Sequence, residues 1–168
     1  MTHGNEAIYQ SSKSWVDLLV QMILREGKSI SEVYNKFEEK YKENGERNYK
    51  NVQEWIRDSK EDEMDAVKSM GWAKIAYTHG LRQLRNLIEK EKNQQEIINP
   101  STFKQIIRNI LDLKGDTDTN GAIVGGLIGA IVGFKNLPYD YLDKQFELRL
   151  EFNEDKFGSR GSEYEPRR

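Results

Sequence analysis

Residues 114–134 read KGDTDTNGAIVGGLIGAIVGF, a polar turn followed by a run of glycines and apolar residues. The uncharged part, Ala122 to Phe134, would span only ~20 Å as a helix, short of the ~30 Å hydrocarbon core of a bilayer. Gly125, Gly129 and Gly133 recur at every fourth position, and in a soluble chain this spacing lets a neighbouring helix approach closely. We therefore predict a buried core helix rather than a membrane span.

The turn before this helix holds a compact set of oxygen ligands. Asp116, Asp118 and Thr119 place two carboxylates and a hydroxyl within four residues, directly after Gly115. Such hard oxygens suit Mg²⁺, which usually keeps water or substrate oxygens in several of its positions. The cluster can therefore supply part of a magnesium site, and other groups must complete it.

Two other interpretations of the turn are possible from the residues alone. An Asp or Thr here can simply cap the helix, because side-chain oxygens at a helix N-terminus accept unpaired amide N–H groups. Alternatively, residues 116–121 match the first half of an EF-hand calcium loop. That loop needs a bidentate Glu at its twelfth position, where this chain has Leu127, so calcium of this type is not expected.

Composition limits the partners and the chemistry. The 168 residues include 26 Lys plus Arg against 28 Asp plus Glu, a formal net charge of −2, so no excess positive charge favours a nucleic-acid backbone. The chain has no cysteine, which excludes disulfides and thiolate ligands. Polar residues follow Met1, without the pattern of a signal peptide. We expect one cytoplasmic domain that binds neither nucleic acid nor membrane.

Apolar spacings of three and four residues predict helices along the whole chain, and no alternating strand pattern occurs. Residues 1–150 are expected to form an all-α helical bundle, and residues 151–168 a polar, mobile tail. Residues 43–48 should form a charged loop and residues 49–70 short helices. Six further helices are predicted. The first three are Asn5–Arg25, a helix that Ser29 or Ser31 caps and that runs through Phe37, and Trp72–Glu91. The last three are a helix that Ser101 caps and that runs to Leu113, the glycine-rich helix, which Leu137-Pro138 stops, and Tyr139–Leu150.

These features resemble the C-terminal part of the ADP-ribosylglycohydrolase family. That family has a Gly-Gly-Asp-x-Asp-[Thr/Ser] motif followed by a small-residue helix, and Gly115 to Gly133 is similar almost throughout. The resemblance extends from Thr2 to Leu150 and is weaker between residues 28 and 70. Three further family landmarks occur in the same order, at Thr2-His3, Gly71-Trp72 and Asn136-Leu137-Pro138.

The resemblance implies an all-α, Mg²⁺-dependent hydrolase that removes ADP-ribose from protein side chains or related acceptors. Two Mg²⁺ ions occupy the complete family site, and Asp116, Asp118 and Thr119 would be their C-terminal ligands, with Asp118 placed to bridge both. His3 would lie near the substrate phosphates and Trp72 near the bound nucleotide. From the residues alone, a solvated terminal residue is the favoured interpretation of His3, and a core residue that of Trp72.

The chain departs from the family at two places. Lys114 stands where the family usually has the first Gly of the motif. The Thr-Asp-Asp-like segment that supplies the other metal ligands has no counterpart, since residues 60–63 have the character of a surface charge run. His79 is no substitute, because no second His or Cys sits at ligand spacing, and it is expected to be a packed, hydrogen-bonded residue.

We therefore expect a truncated or split family member that is inactive alone. An N-terminal partner chain or self-association would complete its metal site, with ADP-ribose or an ADP-ribosylated protein as the ligand. The missing ligands equally suit an inactive relative that binds ADP-ribose or has a crystallin-like structural role. A small helical interaction module is the remaining alternative.

Overall fold

The computed structural model describes residues 4–41, 49–61, 64–145 and 147, and every regular element in these ranges is helical. The all-α prediction is confirmed. Residues 139–145 are helical as predicted, whereas the predicted loop at 43–48 and the tail at 151–168 lie outside the described residues. The elements are α1 (Glu6–Ile23), α2 (Ile30–Lys40), α3 (Lys50–Glu61), α4 (Ala73–Lys92), α5 (Pro100–Asp112), α6 (Thr117–Val132) and a 3₁₀ turn at Phe134–Asn136.

Short polar side chains start the first two helices. The Asn5 side chain accepts the Ala7 N–H at 2.8 Å and caps α1. Ser29 caps α2 through a reciprocal capping box, in which its hydroxyl accepts the Glu32 N–H while the Glu32 carboxylate accepts the Ser29 N–H. Of the two serines proposed for this role, Ser29 is the cap.

Two predicted helix boundaries are wrong. Asn99, not Ser101, caps α5, because Pro100 lacks an N–H and suits the first helical position, which places the cap one residue earlier. The glycine-rich helix α6 ends at Val132 and does not continue to Leu137-Pro138. Gly133 adopts a φ of +78° and turns the chain out of the helix.

Helix α6 lies at the centre of the fold, where it contacts α1, α4 and α5. The Arg25 guanidinium, just beyond the end of α1, donates to the Ile131 carbonyl at 2.7 Å and so satisfies a free carbonyl at the end of α6. In the described part of the chain, no helix has the length and apolar character needed to cross a membrane. The buried residues of α6 are Asn120, Val124, Leu127, Ile128, Ile131 and Val132.

The close approach predicted for the glycine-rich helix is confirmed along α5. From Gly121 to Gly129 along α6, the residues that they face on α5 run backwards from Leu111 to Phe103, so the two helices are antiparallel. Gly133 ends the helix and takes no part in this contact. A Cβ built on each of three α6 glycines would come within 4 Å of apolar side chains of α5: Gly121 meets Leu111, Gly125 meets Ile107 and Phe103, and Gly129 meets Phe103.

Candidate functional site

The aspartate turn, residues 113–116, joins α5 to α6. Lys114 and Gly115 both have positive φ, at +61° and +68°. Two successive residues in this region reverse the chain between antiparallel helices, and glycine adopts such angles without steric cost. The turn geometry therefore accommodates Lys114, although a glycine would suit its backbone better.

Gly115 packs against the backbone of the segment between α3 and α4. A Cβ at this position would overlap the carbonyl oxygen of Ala66 and lie 2.8 Å from its carbonyl carbon. Ala66 is itself buried. The turn is thus held against a second part of the chain, and only glycine fits the contact.

The segment behind the turn is fixed by hydrogen bonds of its own. The N–H groups of Lys68 and Val67 donate to the Asp65 carboxylate, and both lower the pKa of Asp65. Nε2 of His79 on α4 is 3.1 Å from the carbonyl oxygen of Met64. The predicted role of His79 as a buried, hydrogen-bonded packing residue is confirmed.

Asp116 and Asp118 lie two residues apart at the start of α6. The Thr119 N–H donates to the Asp118 carboxylate, and this bond, followed by the side-chain bond with Asp116, lowers the pKa of Asp118. Asp116 occupies the N-cap position, yet its side chain accepts no capping hydrogen bond. Helix capping therefore does not explain Asp116.

The chemistry of these donors fits part of a magnesium site. Two carboxylates and a hydroxyl are hard oxygen donors of the kind that Mg²⁺ prefers, and the side chains of Asp118 and Thr119 are exposed. No group of three or more His, Cys, Asp or Glu side chains suited to a metal occurs within the described ranges. Leu127, at the position that calcium would require, is fully buried in the core.

The two predicted substrate contacts are placed differently. His3 lies outside the described residues. Trp72 precedes α4 and is 45% exposed, whereas Trp15 and Trp55 are buried at 8% and 2%. The Trp72 ring stands edge-on to Trp55, and the Lys74 Nζ is 5.1 Å from its centroid. Trp72 is therefore a surface residue at the end of the segment that packs on Gly115.

A cavity near the turn is not predicted by the sequence. A polar cavity of about 540 Å³ opens between α3, α4 and the end of α5, with Arg82 and Arg85 in its wall. Its lining comes from three helices, so no local motif marks it. The only trace in the sequence is the pair of arginines three residues apart on the polar side of α4.

Comparison with known protein families gives a match. A sequence model of the ADP-ribosylglycohydrolase family matches residues 1–163. No curated protein and no solved structure matches the chain.

Proposed function

The chain belongs to the ADP-ribosylglycohydrolase family, and from that premise we propose that it supplies the C-terminal metal ligands of a Mg²⁺-dependent hydrolase. The substrate class would be ADP-ribose linked to protein side chains or related acceptors. The proposal rests above all on the position of Asp116, Asp118 and Thr119 at the start of α6, where Asp118 and Thr119 are exposed and the Asp116 side chain makes no capping hydrogen bond.

Asp116, Asp118 and Thr119 would hold the ions, two in the complete site, with Asp118 between them. Bound Mg²⁺ would supply a template for ribose hydroxyls and electrostatic stabilisation of the reacting bond. Like any ordinary aspartate, Asp118 is ionised at neutral pH, and its lowered pKa extends this state to more acidic solution. The contact of Gly115 with Ala66 would fix the position of these ligands.

The remaining ligands would come from an N-terminal partner chain or from self-association. The described residues support this, because they contain no group of three or more His, Cys, Asp or Glu side chains suited to a metal. ADP-ribose would then lie across the completed site, with its nucleobase against the exposed face of Trp72 and its phosphates near His3. The 45% exposure of Trp72 supports a stacking role.

Calorimetry tests the proposal. ADP-ribose is titrated into the chain with and without Mg²⁺, alone and with a family polypeptide that carries the Thr-Asp-Asp segment. We expect Mg²⁺-dependent binding that Asp118→Asn weakens by roughly tenfold or more, since even outer-shell partners of a metal contribute 10–100-fold.

The matched control is Asp140→Asn, which removes an exposed carboxylate paired with Lys104 outside the turn. It should leave ADP-ribose binding unchanged. Absence of Mg²⁺-dependent binding in every arm, or equal effects of the two variants, would contradict the proposal.

A second candidate is an inactive relative that binds ADP-ribose without cleaving it. The incomplete ligand set within the described ranges favours this candidate. Release of ADP-ribose from modified protein decides between the two. Turnover that Asp116→Ala abolishes supports the hydrolase, whereas Mg²⁺-dependent binding without turnover, with the partner polypeptide present, supports the binding protein.

A further inference from the structure

The polar cavity beside the aspartate turn is lined by charged side chains that have no role in the proposed metal site. Neither Asp116 nor Asp118 lines it. Three cationic side chains do, namely Lys60 on α3 and Arg82 and Arg85 on α4, while Asp112 at the end of α5 is the one carboxylate among the described lining residues. The described cavity wall is therefore predominantly cationic.

Arg85 is held in place by neutral groups. Its Nη1 donates to the Tyr34 hydroxyl at 2.8 Å, and its Nη2 donates to the carbonyl and hydroxyl oxygens of Ser59. The Tyr34 hydroxyl is a neutral group at physiological pH and donates in turn to the Glu38 carboxylate at 2.7 Å, so no carboxylate contacts Arg85 directly in the described residues. Arg85 thus contributes a fixed positive charge to the wall.

Arg82 is poorly satisfied by the protein. Its Nη2 reaches the Asp58 carbonyl oxygen only at 3.5 Å, and its buried Nε has no hydrogen-bond partner in the described part of the chain. Within those same residues, no ion pair involves either arginine, whereas Lys60 pairs with Glu38 at 2.9 Å. The buried Nε is closed to a ligand, so an oxyanion in the cavity would meet the terminal Nη groups, whose planar fork can donate two N–H bonds at once.

We propose that this cavity binds the phosphate group of a small molecule, with Arg82 as the main donor and Lys60 and Asn86 completing the polar wall. The volume of about 540 Å³ exceeds what a free phosphate ion needs and lies in the range of small-molecule pockets. Leu113 of the aspartate turn lines the cavity, but the proposed metal ligands Asp116, Asp118 and Thr119 do not, so the two sites can be tested separately.

Inorganic phosphate is the probe, titrated by calorimetry at constant ionic strength and without Mg²⁺. We expect saturable binding that Arg82→Gln weakens roughly tenfold, the change expected for one charge-assisted hydrogen bond. Arg108→Gln is the matched control, because Arg108 is an exposed arginine on α5 outside the cavity lining. It should leave the affinity unchanged.

Asp112→Asn gives a test in the opposite direction. Removal of this carboxylate should tighten phosphate binding about two- to fivefold, since it repels the anion across a solvated site. A merely structural effect would not improve binding. Arg82→Lys, which keeps the charge but loses the planar fork, should retain more affinity than Arg82→Gln.

Four results would overturn the proposal. The first is no saturable phosphate binding to the unchanged chain. The second is an equal loss in Arg82→Gln and Arg108→Gln, which would indicate non-specific charge. The third is unchanged or weaker binding in Asp112→Asn. Acetate, titrated in parallel, identifies a general carboxylate site if it binds as tightly as phosphate, and this too contradicts the phosphate assignment.

Discussion

Gly115 shows how one residue fixes the position of the candidate ligands. It has a φ of +68°, and a Cβ on it would overlap the Ala66 carbonyl oxygen. Gly115→Ala therefore combines backbone strain with a steric clash. We expect it to lower the free energy of unfolding by about 2–4 kcal/mol, the sum of these two effects. Thermal and urea unfolding provide the measurement.

Lys114→Gly is the matched control for that substitution. Lys114 is exposed and has a φ of +61°, so glycine relieves a left-handed conformation that costs a side chain about 1–2 kcal/mol. The added flexibility of the unfolded chain offsets part of the gain, and we expect net stabilisation of about 0.5 kcal/mol. A destabilised Lys114→Gly variant would contradict the turn geometry described.

At the scale of single residues, the sequence predicts features whose residues lie close together in the chain, and not those whose residues are far apart in it. Asp116, Asp118 and Thr119 are nearly contiguous, so their chemistry is visible in the sequence. The contact of Gly115 with Ala66 joins two distant segments, and no local pattern indicates it. The unsatisfied Nε of Arg82 is likewise a product of tertiary packing.

At the scale of elements, the α5–α6 contact gives a prediction from two adjacent glycines. A Cβ at Gly125 would lie 3.2 Å from Ile107, whereas at Gly126 it would meet nothing within 4 Å. Gly125→Leu should push the helices apart and destabilise the fold by about 1–3 kcal/mol. Urea unfolding of this variant, monitored by circular dichroism, measures the effect.

Gly126→Leu controls for helix propensity, because it introduces the same side chain one position along on an exposed surface. Leucine is the better helix former by about 0.5–1 kcal/mol, so this variant should be as stable as the unchanged chain or more stable. Equal destabilisation by both substitutions would mean that α5 does not pack on the Gly125 face.

The presence of a helix is easier to predict from the sequence than the residues at which the helix begins and ends. Periodic apolar residues predict α1, α4 and α5 because burial of one face dominates their stability. The ends depend on competition between local signals. Pro100 moved the cap from Ser101 to Asn99, and the positive φ of Gly133 ended α6 before Pro138 could.

At the scale of the whole molecule, helix order and family resemblance indicated an all-α bundle, but not which faces would meet. The cavity beside the turn arises where α3, α4 and α5 converge, and only the assembled fold brings Lys60 and Arg82 to one wall. The same assembly buries tyrosine hydroxyls from α2 and α4, and this has a measurable effect on stability.

The stability of the fold should fall in alkaline solution. Burial raises the pKa of Tyr34, Tyr41 and Tyr77 above the ordinary value of 10.0. A pKa that is higher in the folded state contributes stability that is complete below the unfolded pKa and is lost as pH rises towards the folded pKa. The contribution of these tyrosines to the free energy of unfolding should therefore be constant up to about pH 9 and fall above about pH 10. Urea unfolding at a series of pH values measures it.

Tyr77→Phe separates this effect from other alkaline titrations. The Tyr77 hydroxyl lies 2.9 Å from the Ser14 hydroxyl in the core, so the variant should lose about 1 kcal/mol at neutral pH. It should also show a shallower fall above pH 10, because one buried phenol no longer ionises on unfolding. Tyr139→Phe, at a side chain that is 77% exposed, should leave the profile unchanged. Identical alkaline profiles for the two variants would contradict the assignment of the fall to buried tyrosines.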